Sequence, residues 1–212
     1  MKVLFLNGSS HLHGTTMRAI EEMEKVFHEA GVETEVVQLG NRPIADCLQC
    51  NYCESHGECV MKNDGVNEFV EKAKTADGFI FATPVYYAHP SGRILAFLDR
   101  VFYSAFSGGK GSAFRFKPGA AVAVARRGGT TATLDALGKY FGISGMPVAG
   151  STYWNMAHGM TAKDVVKDDE GLQTLRNLAR NMVWMMQCFA EGKKQGIPLP
   201  AMETDAFTNF IR

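Results

Sequence analysis

A doubly wound α/β domain, with a five-stranded parallel sheet covered by helices on both faces, is the fold class the sequence predicts. Two observations carry this. Short apolar runs alternate with segments of helical period along the chain, and several of the runs are continuously apolar, as in strands buried on both faces. With 212 residues, 46% hydrophobic and 21% charged, the chain is long enough to bury the core of one large domain. No internal repeat or low-complexity segment interrupts it.

The elements follow in order. The first strand is Val3 to Leu6, and Met17, Ile20, Met23, Phe27 and Ala30 then recur at helical spacing until Gly31 supplies a stop. The second strand runs from Glu35 to Leu39. An irregular stretch from Gly40 to about Asn63 precedes a helix marked by Val66, Phe69, Val70 and Ala73. "GFIFATPVYY" from Gly78 is the third strand. Ser91 is placed to cap the next helix, whose Ile94, Leu95, Leu98, Val101 and Phe102 share a face. Ala120 to Ala125 is the fourth strand, followed by a helix around Leu134, Leu137 and Phe141. The fifth strand is expected at Pro147 to Ser151. The last helix carries Leu172, Leu175, Leu178, Met182, Met186 and Phe189 on its buried face. This domain is expected to span 1–195, with 196–212 as an extended C-terminal arm that reaches a neighbouring subunit. Such a sheet is flavodoxin-like or half of a Rossmann fold, and either binds its ligand beyond the carboxyl ends of the strands at the switch point.

Formal net charge is zero, so no basic field collects nucleic acid or an anionic membrane. The opening MKVLFLNGSS has too short an apolar run for a signal peptide core or a membrane span, and a cytoplasmic location is expected. Thiols stay reduced there. An odd count of five cysteines therefore points to metal or redox chemistry rather than a disulfide framework.

Three loops at the carboxyl ends of strands are candidates for a ligand. "NGSSHLHGTT" (Asn7 to Thr16) leads into the first helix, where free backbone N–H groups favour an anion. It lacks the G-x-G-x-x-G spacing of a dinucleotide site, and no P-loop follows a strand. Hydroxyls of Ser9, Ser10, Thr15 and Thr16, with His11, suit a terminal phosphate monoester such as that of FMN; helix capping by Thr15 or Ser10 is the alternative. "TPVYYAHPSG" offers Pro84, Val85 and the flat faces of Tyr86 and Tyr87 to a tricyclic ring, the alternative being tyrosines packed in the core, with His89 an exposed loop residue rather than a helix-start donor. "ARRGGTT" brings Arg126 and Arg127, with Gly128 and Gly129 allowing close backbone approach; a turn capped by Thr130 or Thr131 explains it equally well. "GSTYWNMAHG" after the fifth strand, with Tyr153, Trp154, Asn155 and His158, lines the mouth of the same site or packs a subunit contact.

Taken in this order, "NGSSHLHGTT", "ATPVYYAHPSGRILAFLDR" and "ARRGG" resemble the NADPH-dependent FMN reductase family of flavodoxin-like proteins over most of the chain. The segment from Thr83 to Arg100 is its most specific part, matching T-P-V-Y, then S-G and a helix ending in D-R. The first loop resembles the family's G-S-P-R-x-x-G-N-T but departs from it: Ser10 stands for proline, His11 for arginine and Thr15 for asparagine. "CLQCNYCESHGEC" is similar to the compact motif of the iron-sulfur flavoproteins, matched by Cys47, Cys50, Cys53 and Cys59. The resemblance implies a 4Fe-4S cluster on these thiolates, against an empty thiol loop or zinc, whose all-cysteine sites usually pair two separate knuckles.

It further implies FMN held by Ser9, Ser10, His11, Thr15, Thr16, Pro84, Val85, Tyr86, Tyr87, Arg127, Gly128 and Gly129. NADPH or NADH would be the donor, and a quinone, free flavin or partner protein the acceptor. The flavin carries the chemistry, so no side chain is required as a catalytic acid or base. An electron carrier without a nicotinamide site and a zinc-stabilised non-redox module are the rival classes. A serine hydrolase is disfavoured because no G-x-S-x-G elbow follows a strand. A homodimer or homotetramer is expected, which light scattering of the purified protein would test.

Overall fold

The computed structural model describes residues 1–203, 205, 206, 208 and 210. Thr204, Phe207, Asn209, Ile211 and Arg212, within the expected arm, lie outside the described residues. Strand β1 (Lys2–Asn7) is followed by α1 (Thr15–Glu29), β2 (Glu33–Gln38), a short α2 (Tyr52–His56) inside the irregular stretch, and α3 (Val66–Thr75). Then come β3 (Gly78–Tyr86), a two-residue β4 (His89–Pro90), α4 (Gly92–Ser107), β5 (Gly119–Ala125) and α5 (Thr130–Ile143). The chain continues through β6 (Met156–His158), α6 (Ala162–Val165) and α7 (Asp169–Lys194).

The main sheet has the order β2-β1-β3-β5-β6, with every pair along it parallel. The strand order reverses between β1 and β3, which is the flavodoxin-like arrangement and puts the switch point at the carboxyl ends of those two strands. Side chains alternate across the sheet. Val3, Phe5, Ile80, Ala82, Val122 and Val124 pack with buried residues of α1 and α7 on one face. Leu4, Leu6, Phe79, Phe81 and Ala121 pack with α3, α4 and α5 on the other. Phe81 stacks on Phe141 with ring centroids 5.0 Å apart and meets Phe102 edge-on at 6.0 Å. Ser91 does cap α4, its hydroxyl accepting from the Ile94 amide at 3.4 Å. Among the described residues no helix is long and apolar enough to cross a membrane.

Two expectations need correction. The fifth strand of the main sheet is Met156–His158, not Pro147 to Ser151, of which only Val148 bridges to Gly119. The chain starts along β5, with the Ala149 amide donating to the Gly119 carbonyl at 2.9 Å. Helix α7 then draws it away: Asn181 Nδ2 donates to the Gly150 carbonyl at 2.9 Å, and Ser151 Oγ donates to the Thr174 carbonyl at 2.6 Å. It rejoins where the Ala123 amide donates to the Asn155 carbonyl at 3.1 Å. The excursion leaves Tyr153 and Trp154 exposed and packed edge-on at 4.7 Å. The second correction concerns Phe189, which is 42% exposed, so the buried stripe of α7 ends at Met186.

Helices α1 and α7 are also joined by charge. Glu22 on α1 is 7% exposed and takes contacts from Lys25 at 2.8 Å, Arg176 at 2.7 Å and Arg18 at 3.3 Å. Burial pushes its carboxyl up, but the hydrogen bonds from Lys25 and Arg176 outweigh that and hold it below the ordinary carboxylate value of 4.5. The stability this contributes is present above pH 4.5 and is lost as pH falls through the lower folded value. Glu22→Gln is expected to cost about 1–2 kcal/mol at neutral pH, discounted for partly exposed partners. Denaturant unfolding at pH 7 and pH 3 checks it, since the cost should shrink at the lower pH.

Candidate functional site

The loop after β1 is built by short-range hydrogen bonds that orient its hydroxyls. Asn7 Oδ1 accepts from the Ser9 amide at 3.0 Å, and Ser9 Oγ accepts from the His11 amide at 3.1 Å. Gln38 Nε2, at the end of β2, donates to the Ser9 carbonyl at 2.6 Å. Gly14 is the N-cap of α1 and no side chain caps this helix. Capping by Ser10 or Thr15 is therefore not what these hydroxyls do. The first amides of α1 have no intrahelical acceptor, and the Thr16 hydroxyl is enclosed without a hydrogen-bond partner.

The segment from Thr83 to Ser91 divides into a scaffold and a surface. Thr83 and Ser91 are both buried. The Ser91 amide donates to Thr83 Oγ1 at 3.1 Å, and Ser91 Oγ donates to the Gly8 carbonyl at 2.8 Å. Three elements thus meet at one knot: the end of β1, the end of β3 and the start of α4. A Cβ on Gly8 would lie 2.9 Å from Ile94 Cβ, so the knot closes only around glycine. Beyond it, Val85 and Tyr86 pair with Pro90 and His89 in a small hairpin. Its turn residues Tyr87 and Ala88 have φ of 50° and 61°, the left-handed pair of a tight hairpin turn. Gly129 has φ of 94°, and a Cβ there would lie 2.5 Å from Ala88 Cα. The start of α5 supports the turn from below. Neither Thr130 nor Thr131 caps α5, because its N-cap is Gly129 with no side-chain bond.

These elements enclose a cavity of about 320 Å³ at the switch point. Ser9, His11, Gly14 and Thr15 form one wall, Pro84, Val85 and Tyr86 another, and Val124, Ala125 and Arg126 a third. Of the other expected contacts, Ser10, Thr16, Tyr87, Arg127, Gly128 and Gly129 do not border it. Thr16 lies in the first turn of α1 just behind Thr15, Gly129 supports the hairpin, and Tyr87 is fully exposed on its tip. Tyr153, Trp154, Asn155 and His158 do not border the cavity; Gly159, the last residue of the segment expected at the mouth of the site, completes it with Met160, Thr161 and Ala162, which escaped the sequence reading. Their signal was available: Thr161 and Asp164 form a capping box that starts α6.

A larger cleft, about 860 Å³, opens beyond β2 between residues 38–44 and the start of α3. It has no aromatic wall, and its Lys62, Asp64 and Glu68 are already paired. The switch-point cavity, with a hydroxyl-rich helix start facing Tyr86, is the better match to a planar ring carrying a phosphate.

The cysteines form a second centre. Cys50 is exposed, Cys47 half-buried, and Cys53 and Cys59 buried. All four border one small pocket with Leu48, Val60, Met61, Arg100, Tyr103 and Ser104. Burial pushes the Cys53 thiol up, and the nearby Cys47, Cys50 and Cys59 add to this. Asn67 clamps Cys59 by its backbone, Oδ1 accepting from the Cys59 amide at 2.8 Å and Nδ2 donating to its carbonyl at 2.9 Å. Among the described residues no three Cys, His, Asp or Glu side chains converge on one ion. A cubane asks for another arrangement: each thiolate meets its own iron, so the sulfurs stand apart around a shared space. Four cysteines around one pocket fit that donor set.

The chain is similar to several known proteins. Residues 1–161 match the family described as NADPH-dependent FMN reductase. An iron-sulfur flavoprotein of Methanocaldococcus jannaschii is 33% identical over 189 residues, covering 86% of this chain and 95% of that protein. An iron-sulfur flavoprotein of Methanosarcina thermophila is 29% identical over 195 residues, covering 91% and 99%. The crystal structure of RosB, solved with a bound 8-demethyl-8-formylriboflavin-5'-phosphate, superposes with a TM-score of 0.70 at 16% identity, covering 100% of this chain and 94% of that one. At that identity the likeness speaks for the fold.

Proposed function

The chain belongs to the NADPH-dependent FMN reductase family, on its iron-sulfur flavoprotein branch, and we propose that it is an FMN-dependent NAD(P)H oxidoreductase that passes electrons through a 4Fe-4S cluster to a quinone, flavin or protein acceptor. The observation that carries the flavin half is the switch-point cavity, where an uncapped α1 N-terminus faces Pro84, Val85 and Tyr86. When bound, FMN supplies hydride acceptance from a nicotinamide and release of electrons singly or in pairs.

The chain's own residues bind and orient. Ser9 and Thr15 offer hydroxyls to the phosphate, the first α1 amides offer N–H groups, and the helix dipole favours its negative charge. Gln38 holds the Ser9 carbonyl and so fixes the loop that presents these donors. Pro84 and Val85 give the ring a stiff apolar edge, while Tyr86, 49% exposed, offers its face. Arg126 brings a permanent positive charge to the same cavity. Cys47, Cys50, Cys53 and Cys59 would hold the cluster, which supplies a one-electron port.

Protein purified without oxygen is expected to show a flavin absorption spectrum together with bound iron and acid-labile sulfide. Anaerobic addition of NADPH or NADH should bleach the flavin. A protein without flavin would overturn the oxidoreductase reading, and flavin that stays oxidised with both nucleotides would leave an electron carrier instead.

A further inference from the structure

Resting on the cluster reading above, we propose that Arg100 is a positioning residue that sets the redox potential of the four-cysteine centre by donating two N–H groups to Cys59 Sγ. Arg100 is 1% exposed although it is charged. Its Nε and Nη2 each donate to Cys59 Sγ at 3.4 Å, and Nη2 also donates to the Met61 carbonyl at 3.0 Å. Nη1 donates to the Ala45 carbonyl at 3.4 Å and to Asp64 Oδ2. A guanidinium has five N–H donors in a rigid plane, and these contacts use all of them. The fork therefore cannot turn without breaking several bonds at once.

Cys59 is held from the other side as well. Asn67 pairs with both its backbone groups, so the sulfur sits at a fixed point before any metal arrives. The other three cysteines have no equivalent brace among the described hydrogen bonds. Arg100 thus makes one of four ligands electronically distinct. A reduced cluster carries one more negative charge than an oxidised one. N–H groups and a buried cation beside a ligand sulfur stabilise that charge, and so raise the potential. Asp64, on the far side of the guanidinium, works in the opposite direction by partly neutralising it.

The test is spectroelectrochemical titration of the anaerobic holoprotein, following cluster and flavin separately. Arg100→Lys keeps the charge within reach of Asp64 but loses the fork that meets the sulfur twice. Its cluster midpoint is expected to shift to more negative values while the flavin couples stay put. Asp64→Asn keeps an acceptor for Nη1 and removes the countercharge, so its cluster midpoint should shift the other way, and it decides the matter alone if Arg100→Lys fails to load. Shifts of the same sign, or a cluster potential that does not move, would overturn the proposal. Wild-type protein that binds flavin but no iron or sulfide would overturn the cluster reading itself, and the role of Arg100 with it.

Discussion

Changing Thr15 to valine is expected to weaken FMN binding about tenfold or more while leaving the apoprotein about as stable as before. The Thr15 side chain borders the cavity and does not cap α1. Valine copies the shape of threonine, and no cap bond is lost with the hydroxyl. A hydrogen bond to a charged group contributes about 1.5–3 kcal/mol, so one at the lower bound amounts to about tenfold. Fluorescence titration of apoprotein with FMN reads the affinity, and thermal unfolding without FMN reads the fold. An unchanged dissociation constant would place the phosphate elsewhere.

The second large effect is expected at Cys59. Cys59→Ser should abolish iron and sulfide binding almost completely, yet keep the flavin and its bleaching by nicotinamide. The ligand is lost at the one position that Asn67 and Arg100 have already fixed, where the chain has little freedom to bring a substitute. Cys50→Ser is expected to be milder, because Cys50 is exposed in the irregular stretch and its loop can adjust. Metal and sulfide analysis of the two variants beside wild type gives the order. Loss of flavin along with iron in Cys59→Ser would show that the two centres are not separable.

Much of this molecule could be read from local pattern. Continuous apolar runs at Val3 to Leu6 and Ala120 to Ala125 are buried strands, and the Ser91 cap follows from a residue preference that acts within one turn. The fifth strand could not be read this way. Pro147 to Ser151 has suitable residues, but Asn181 and Ser151 draw the chain toward α7, through contacts between positions 31 and 23 residues apart in sequence. The candidate flavin site was legible as three separate loops. What was not legible is which hydroxyls face the cavity and which brace it: Thr83 and Ser91 are structural ties, while Thr15 borders the space. Arg100 was seen only as the end of a D-R pattern. Its contact with Cys59 joins positions 41 residues apart, which no periodicity announces.

Helix α4 is capped by Ser91, tied to Gly8 in the loop after β1, and reaches Arg100, tied to Cys59. It therefore acts as a ruler. Nine residues of α-helix span about 13 Å, so the spacing between the two anchor points is a property of helical rise rather than of either loop. The loops can lengthen or change composition and alter solvent access without changing that spacing. A single-residue deletion within α4 would do the reverse, turning Arg100 by about 100° around the helix axis and disconnecting one end of the ruler while both loops stayed intact.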